Sequence, residues 1–283
     1  MRTLLIGSKG QLGTDLLDVW NGDIRGFAHD EIDVCDRDEV MGAVDRERPD
    51  LVINAAAFTR VDECETNYAL AFEVNALGAK NVADAARAVD AAVMFISTDY
   101  VFDGGKTSPY AEDDVPRPLN VYGVSKLAGE HLVRQSNPRH YVVRTSSLFG
   151  AGGRNGNFVE AVIGKANANE PLRVVDDQIS SPTFTRDLAM KLQELATTGA
   201  FGLYHITNSG NTSWHGLAAR VFELLDMEPS LTRITSAELA VPARRPAFSV
   251  LENRALVTAG LARLRPWEQA IPDYLAARDR TSS

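Results

Sequence analysis

Tyr122 and Lys126 place a phenol and an amine one helical turn apart. Residues at positions i and i+4 share one face of a helix, so the two side chains can meet each other or a common ligand. A cation beside a phenol favours the phenolate and moves its pKa from about 10 toward working pH. Such a pair can deliver a proton to a developing alkoxide. Because the same spacing is common on solvated helix faces, the surrounding elements must decide between the two interpretations.

Three glycines, Gly7, Gly10 and Gly13, follow an apolar segment at residues 3–6 that predicts a buried strand. In a dinucleotide-binding turn the first glycine permits a tight turn, the second lets backbone approach a pyrophosphate, and the third lets the helix pack on the strand. The helix is expected to begin near Gln11, with its free amides facing the phosphates. A flexible turn without a ligand is the alternative, and the position directly after a strand favours the binding site.

The first half of the chain alternates between strands and helices. Predicted strands lie at residues 50–54, 92–97 and 140–144, and predicted helices lie at residues 38–48, 68–89 and 120–134. Helices of this length favour right-handed crossovers between parallel strands. The pattern therefore predicts an α/β fold with a doubly wound parallel sheet of the Rossmann type. Ligands bind beyond the carboxyl ends of such strands, at residues 55–59 and 98–103.

Longer motifs carry a family resemblance. In chain order they are Gly7-x-x-Gly10-Gln11-Leu12-Gly13, Asn54-Ala55-Ala56-Ala57-Phe58-Thr59-x-Val61-Asp62, Ser97-Thr98-Asp99-Tyr100-Val101-Phe102-Asp103-Gly104 and Tyr122-Gly123-x-Ser125-Lys126-x-x-Gly129-Glu130. Shorter matches follow at Arg144-Thr145-Ser146, Asp177-Gln178-x-x-Ser181-Pro182-Thr183 and Arg245-Pro246-x-x-Ser249. With these motifs in this order, the chain resembles the dTDP-4-dehydrorhamnose reductases, extended short-chain dehydrogenases, over nearly its whole length.

The resemblance implies reduction of the C4 ketone of a nucleotide-linked 6-deoxy-4-ketosugar, with dTDP-4-dehydro-L-rhamnose to dTDP-L-rhamnose as the first expectation. By position, Tyr122 would donate the proton, and Lys126 would lower the Tyr122 pKa and hold the nicotinamide ribose. Thr98 would hydrogen-bond the carbonyl oxygen, a contact that strengthens as charge develops. The alternative for Thr98 is a strand-end hydroxyl that satisfies local backbone groups.

The implied cofactor is NADPH or NADH. The residues expected to bind it are Gly7, Gly10, Gln11, Leu12, Gly13, Asp30, Asp33, Val34, Ala55, Ala56, Ala57, Thr59, Tyr122 and Lys126. Of these, Asp33 and Val34 match the pair that flanks the adenine in the resembled family. Family members carry an acid at the end of the second strand, and either His29 or Asp30 takes that place here. His29 would tolerate a 2′-phosphate, whereas Asp30 would repel one, so the preference between NAD and NADP stays open.

Substrate contacts are expected from Thr98, Asp99, Asn157, Gln178 and Arg245. A guanidinium suits a diphosphate bidentately, although Arg245 could equally lie in a solvated loop. Many members of the family carry a Trp where this chain has Ser147. That difference leaves room for a related nucleotide deoxysugar.

We predict two lobes: a dinucleotide-binding domain at residues 1–145 and a smaller C-terminal substrate lobe at residues 146–283. Within the second lobe we expect strands at residues 172–175 and 203–206 and a helix at residues 214–225, capped by Ser213. Residues 184–206 are expected to pack back on the sheet.

Composition limits the partners. The 283 residues carry a net charge of −9, which argues against nucleic acid. No apolar run approaches the roughly 20 residues that span a bilayer, and the histidines lack metal-ligand spacing, so we expect no membrane and no metal. Cys35 and Cys64 are too few for a disulfide framework, which favours a reducing, cytoplasmic location. A monomer or a homodimer is expected.

Three rival functions occur in proteins that resemble this chain. Nucleotide-sugar 4,6-dehydratases carry Thr-Asp-Glu where this chain has Thr98-Asp99-Tyr100, and a tyrosine cannot replace that carboxyl group in water elimination. A 4-epimerase would lack the Thr-Asp-Tyr run. A non-catalytic regulatory subunit resembling the partner of methionine adenosyltransferase retains the Tyr and Lys, so the sequence separates it poorly from a reductase.

Overall fold

The computed structural model describes residues 1–152 and 156–281. The strands are β1 Arg2–Ile6, β2 Asp23–Phe27, β3 Leu51–Asn54, β4 Ala92–Thr98, β5 His140–Thr145, β6 Leu148–Phe149, β7 Leu172–Val175, β8 Ile179–Ser180, β9 Thr183–Phe184, β10 Gly202–His205, β11 Thr212–Ser213 and β12 Leu231–Ile234. The helices are α1 Gln11–Val19, α2 Arg37–Glu47, α3 Val61–Thr66, α4 Tyr68–Phe72, α5 Ala79–Ala88, α6 Val121–Ser136, α7 Phe158–Asn167, α8 Thr185–Thr198, α9 Trp214–Leu224, α10 Ser236–Leu239, α11 Arg254–Thr258 and α12 Trp267–Thr281.

A six-stranded sheet in the order β10-β5-β4-β3-β1-β2 forms the centre of the fold. All five of its strand pairs are parallel. β1 lies between β2 and β3, so the strand order reverses there and a crevice opens beyond the carboxyl ends of these strands. The predicted α/β fold with a parallel sheet is confirmed.

Helices cover both faces of the sheet. On one face, Val40 of α2 and Ala83 of α5 pack in a buried cluster with Leu4 and Val93. On the other face, Leu16 of α1 joins residues of α8 in a second buried cluster. The strands are apolar on both sides because both faces are buried, as parallel sheets require.

Residues after 145 take part in this sheet as well as in a separate cluster. Strand β10 pairs with β5 at the sheet edge, and Leu188 and Leu192 of α8 pack on the sheet beside α1. A third cluster, which contains Phe149, Phe184 and Tyr274, holds the later elements together. The chain after residue 145 therefore divides between the two regions, and the boundary at that residue stays a prediction.

Most predicted elements lie within two residues of the observed bounds, but the predicted helix at 68–89 is interrupted. It consists of α4, a π-helical turn at Glu73–Gly78, and α5. A π-turn adds a residue to one helical turn and often marks a functional site. Here it carries the buried side chain of Asn75 toward the loop that follows β3. Over the described ranges, no helix is long and apolar enough to cross a membrane.

Candidate active site

The glycine turn after β1 depends on two backbone contacts. Gly7 has a φ of +91°, and a Cβ there would lie 2.8 Å from backbone atoms of Ala55 and Ala56. A Cβ at Gly13 would lie 2.2 Å from the Gly7 carbonyl oxygen. Neither position can therefore carry a side chain without displacing backbone. The tight turn and the close helix packing predicted from the sequence are both present.

The N-terminus of α1 fits a pyrophosphate. Gly10 is its N-cap residue, and no side chain in the described ranges caps the helix. The first-turn amides of α1 therefore lack side-chain partners. The first turn of α1 also contains no acidic residue that would neutralise the positive end of the helix dipole. Leu12 is buried in the core, so this residue offers a ligand its backbone only. The side chain of Gln11 donates to the Gly156 carbonyl at 3.2 Å.

The loop after β3 forms the next wall of the crevice. Ala55, Ala56 and Ala57 are half-buried, and Thr59 is exposed. Asn75 fixes this loop, because its Oδ1 accepts from the Phe58 amide at 2.8 Å and its Nδ2 donates to the Phe58 carbonyl at 3.1 Å. The small side chains leave the loop backbone accessible at the end of the strand.

Two residues expected beside the adenine differ in placement. Val34 is buried in the core, with its side chain close to Gly78. Asp33 is half-buried, and its carboxylate accepts from the Cys35 amide at 2.9 Å. Of this pair, only Asp33 keeps a side chain partly open to a ligand, and the adenine contact stays a prediction.

Thr98 and Tyr122 meet at the carboxyl end of β4. Their side chains are neighbours, and the Thr98 oxygen accepts from the Tyr100 amide at 3.2 Å. Gly123 permits this approach, since a Cβ there would lie 2.2 Å from the Tyr100 carbonyl oxygen. Asn120 begins α6 as its cap, accepting from the Gly123 amide at 2.8 Å. The local sequence thus aims the Tyr122 phenol at the end of β4.

The pKa of Tyr122 departs from expectation. Burial raises this pKa, and the neighbouring Thr98 side chain opposes the rise only in part. Asp99 and Tyr100 raise it further through their charges. The expected lowering by Lys126 is therefore not the net result in this structure, because the cost of burying a phenolate is larger.

Lys126 lies one turn further along α6 and is 2% exposed. Its Nζ donates to the Ile96 carbonyl of β4 at 2.7 Å and lies 4.1 Å from the centre of the Phe95 ring. Burial lowers the pKa of Lys126 to about 7, and the charge of Glu130 opposes that shift. An amine with this pKa can hold or release a proton near neutral pH.

Asp99 lies beneath the site rather than on its surface. It is 2% exposed, and its carboxylate accepts from the hydroxyl groups of Ser146 at 2.9 Å, Ser249 at 2.5 Å and Thr98 at 3.2 Å. Burial raises the pKa of Asp99 to about 6, although these donors lower it. Direct contact of Asp99 with the sugar, expected from the resemblance, stays a prediction. Asp99 is also placed to orient Thr98.

Asn157 and Gln178, two other expected substrate contacts, bind protein groups. Asn157 caps α7, accepting from the Glu160 amide at 3.1 Å, and donates to the Gly150 carbonyl at 2.9 Å. Gln178 is buried and donates to the Ser236 hydroxyl at 2.9 Å. These contacts give both side chains structural roles, and their contact with substrate stays a prediction.

Arg245 is held by Asp62 in a two-pronged ion pair, with Nη1–Oδ1 and Nη2–Oδ2 distances of 3.0 and 2.7 Å. It also donates to the Ala243 carbonyl at 2.8 Å. The Arg245 hydrogen bond holds the pKa of Asp62 below its usual range. Since these contacts use most of the five guanidinium donors, a diphosphate at Arg245 would have to displace protein acceptors.

Sequence reasoning missed the residues that support this site from below. Asn75 donates to the Ser125 hydroxyl at 3.0 Å and so joins the loop after β3 to α6. Glu130 of α6 forms a buried pair with Arg144 of β5, at 2.7 and 2.9 Å, and accepts from Ser97 at 2.5 Å. The positions of Glu130, Arg144 and Ser97 in the quoted motifs were the available signal, whereas Asn75 lies outside those motifs. In the ranges that the structure describes, no group of three or more His, Cys, Asp or Glu residues is placed to hold a metal.

Known proteins are similar to this chain in sequence and in fold. The family model described as the RmlD substrate binding domain matches residues 1–280. A dTDP-4-dehydrorhamnose reductase of Streptomyces griseus is 42% identical, covering 98% of this chain and 93% of its own length. A dTDP-4-keto-6-deoxy-D-glucose reductase of Streptomyces niveus is 38% identical, with 95% of each chain covered.

A solved structure has a closely similar fold. The dTDP-4-dehydrorhamnose reductase of Bacillus anthracis, crystallised in complex with NADP, is 35% identical with a TM-score of 0.94. The match covers 97% of this chain and 98% of that one. The family resemblance carried by the motifs is confirmed: this chain belongs to the RmlD family, the dTDP-4-dehydrorhamnose reductases.

Proposed function

We propose that this chain reduces the C4 ketone of a nucleotide-linked 6-deoxy-4-ketosugar with NADPH or NADH, and that dTDP-4-dehydro-L-rhamnose, giving dTDP-L-rhamnose, is the first substrate to test. The placement of Tyr122 beside Thr98 at the end of β4, with Lys126 one turn further along α6, is the observation that carries this proposal. The uncapped start of α1 supports it with a place for a pyrophosphate.

A coenzyme held at the glycine turn and the start of α1 would supply the hydride that C4 receives. Tyr122 donates its phenolic proton to the O4 oxygen as charge develops there, and the ketone becomes an alcohol. Thr98 hydrogen-bonds the same oxygen and orients the phenol. Lys126, with a pKa of about 7, favours the phenolate left on Tyr122 and can supply its next proton.

The burial of Tyr122 suits a proton donor. Since burial raises its pKa, the phenol stays protonated until a better acceptor than water forms beside it. An alkoxide at O4 is such an acceptor, because its conjugate alcohol is a far weaker acid than a phenol. The proposed chemistry thus uses the raised pKa to keep the proton in place before reduction.

The sugar is the finer part of the proposal. Ser147 has a φ of +45°, and its hydroxyl lies 2.7 Å from that of Ser180, close to the Asp99 cluster. A serine here leaves more space than the Trp of many family members, which keeps a related nucleotide deoxysugar as an alternative. The relative that reduces a dTDP-4-keto-6-deoxy-D-glucose supports testing that sugar too.

The test measures the loss of absorbance at the reduced nicotinamide band. Purified protein is mixed with dTDP-4-dehydro-L-rhamnose and with NADPH or NADH in parallel. Oxidation that depends on the sugar supports the reductase. Coenzyme binding without reduction of any nucleotide ketosugar would overturn it and favour the regulatory-subunit alternative.

We also propose a cytoplasmic location, which the free thiols of Cys35 and Cys64 support, and a monomer or homodimer.

A further inference from the structure

Three hydroxyl groups donate to the buried carboxylate of Asp99, and their bonds differ in length. Ser249 and Ser146 both donate to Oδ2, at 2.5 and 2.9 Å, whereas Thr98 donates to Oδ1 at 3.2 Å. A hydroxyl that donates to an ionised carboxylate usually lies about 2.5–2.7 Å from it. Thr98 therefore makes the weakest of the three bonds, although it is the neighbour of Asp99 in sequence.

The two serines reach Asp99 from separate parts of the chain, and the backbone fixes both. Ser146 directly follows β5, the strand that pairs with β4. Ser249 lies between α10 and α11, where its amide donates to the Ile179 carbonyl of β8 at 2.8 Å. Each serine is 2% exposed. Their hydroxyls are therefore available to Asp99 whatever Thr98 binds.

The Thr98 hydroxyl has one proton and two possible acceptors. Its oxygen is fixed by the bond that it accepts from the Tyr100 amide at 3.2 Å. It donates to Asp99 in this structure, but the proposed reduction needs the same proton at the O4 oxygen of the sugar. A charged carboxylate with few other donors would hold that proton and oppose the reduction.

We propose that Ser146 and Ser249 are positioning residues for the reduction, because their bonds to Asp99 leave the Thr98 proton free to turn to O4. Neither serine touches the sugar. Both act through the carboxylate, whose demand for a third donor they reduce. This inference rests on the proposed function, since it requires a ketone oxygen beside Thr98.

Ionisable groups from several elements act on Asp99 or on its neighbours. Burial raises the pKa of Asp99 to about 6, and its hydroxyl donors lower it. The charge of Asp99 acts on Tyr100 of the same turn and on Tyr122 of α6. Arg245 and Asp62 act on Tyr100, and Lys126 lies one turn from Tyr122 on α6.

Of these groups, Asp99 and Lys126 change charge near neutral pH. Burial raises the pKa of both phenols, an arginine stays protonated, and Arg245 holds the pKa of Asp62 below its usual range. Burial lowers the pKa of Lys126 to about 7. A comparison of each serine variant with the parent at the same pH cancels the contribution of Lys126, because both proteins contain it.

The test measures kcat and KM for the ketosugar in the parent, Ser249→Ala and Ser146→Ala from about pH 5 to pH 8, since the pH profile of kcat reports groups of the bound complex. Above the Asp99 pKa of about 6, each variant should lose about tenfold in kcat, because a hydrogen bond to a charged group has a strength of that order. KM should stay near the parent value, because neither serine contacts the sugar.

The loss in kcat should depend on pH with a definite sign. Asp99 is charged above its pKa and neutral below it, so the loss should be full at the alkaline end of the range and fade as the pH falls. Removal of a donor that lowers this pKa also raises it. The loss should therefore begin to fade above pH 6 in the variants.

Further variants separate positioning from support of the fold. Asp99→Asn removes the charge and keeps the size, so Ser249→Ala should lower kcat less than about twofold in that background. Ser249→Thr keeps a hydroxyl and should retain most of the parent kcat. Ser181→Ala is the matched control, because Ser181 is 1% exposed and donates to the Gly210 carbonyl at 2.9 Å. Its kcat should follow that of the parent at every pH.

Several results would overturn this inference while the proposed function stands. They are no loss in kcat at any pH, an equal loss at every pH, a loss that persists in the Asp99→Asn background, and a rise in KM at constant kcat, which would show contact with the sugar. If Ser249→Ala does not fold, Ser146→Ala makes the same comparison from the end of β5. If the unaltered protein reduces no nucleotide ketosugar, the proposed function fails and this inference fails with it.

Discussion

The start of α6 and the later half of the chain both supply polar residues that the motifs assign to the site, yet the structure uses them differently. At the start of α6, the Tyr122 side chain lies beside Thr98 at the end of β4. In the later half, Asn157 and Gln178 bind other parts of the protein. The two regions differ because the first places its side chain at the end of a sheet strand, whereas the second binds its side chains to other parts of the protein.

Tyr122→Phe is the largest effect expected and the sharpest test of the first region. Removal of the phenolic oxygen takes away the proton donor, so kcat should fall by roughly 10² to 10⁴. Coenzyme affinity should stay near the parent value, because the aromatic ring remains. The measurement is steady-state reduction together with coenzyme binding by calorimetry. Unchanged turnover would sink the mechanism.

The glycine turn offers a matched pair of variants. At Gly13 a Cβ would lie 2.2 Å from a backbone oxygen, so Gly13→Ala should destabilise the fold by about 1–3 kcal/mol or more. At Gly10 the nearest atom is 3.3 Å from the added Cβ, so Gly10→Val should keep most of the fold's stability while filling the space where backbone meets a pyrophosphate.

The readout for these two variants is the midpoint of thermal unfolding with and without coenzyme. Gly13→Ala should lower the midpoint in both conditions. Gly10→Val should leave the midpoint of the protein alone near that of the parent and lose the coenzyme-induced rise. A full rise in Gly10→Val would mean that the coenzyme does not approach this turn.

Asn157→Ala tests the second region. Loss of the cap of α7 should cost about 1 kcal/mol and lower the unfolding midpoint by a few degrees, with turnover near the parent value well below the transition. Ser213→Ala is the control, because Ser213 caps α9 by accepting from the Gly216 amide at 2.9 Å. A large rise in the KM for the sugar, without loss of stability, would show instead that Asn157 contacts substrate.

Lys126→Met tests how the stability of the protein depends on pH. The pKa of Lys126 is lowered from 10.5 to about 7 in the folded state, so the unfolded chain binds more protons between these values. The cost of burying the amine is therefore absent above 10.5, grows as the pH falls, and is complete below about 7. The variant should gain most stability over the parent near neutral and acidic pH.

Thermal unfolding of parent and Lys126→Met across this pH range measures that difference. Lys80→Met, on the exposed side of α5, corrects for the general loss of one positive charge. A stability difference that is constant with pH would show that Lys126 keeps an ordinary pKa in the folded protein.

Local backbone demands were predictable from the sequence. Gly7 and Gly13 follow a strand at a spacing that requires tight turns and close packing, and the structure has both. The parallel sheet followed from apolar strands separated by helices. These features depend on neighbours in the sequence, so a single chain is enough to reveal them.

Features that depend on distant partners were not predictable. The π-helical turn in the predicted helix at 68–89 serves Asn75, whose partners Phe58 and Ser125 lie in other elements. Asp99 follows Thr98 directly, but the turn at Asp99–Val101 buries its carboxylate. The ion pair between Arg245 and Asp62 joins residues 183 positions apart, and no local pattern announces it.

The contact between Ser249 and Asp99 can form only late in the synthesis of the chain. The Ser249 hydroxyl reaches Asp99 across 150 positions of sequence, and the Arg244 carbonyl accepts from Asn120 across 124. A chain emerging from the ribosome can therefore build its sheet before these contacts exist, but the floor beneath Thr98 is complete only after residue 249 is available. Closure of such long loops carries a high entropic cost and slows folding. A nascent chain would thus acquire a core before it acquires a finished active site.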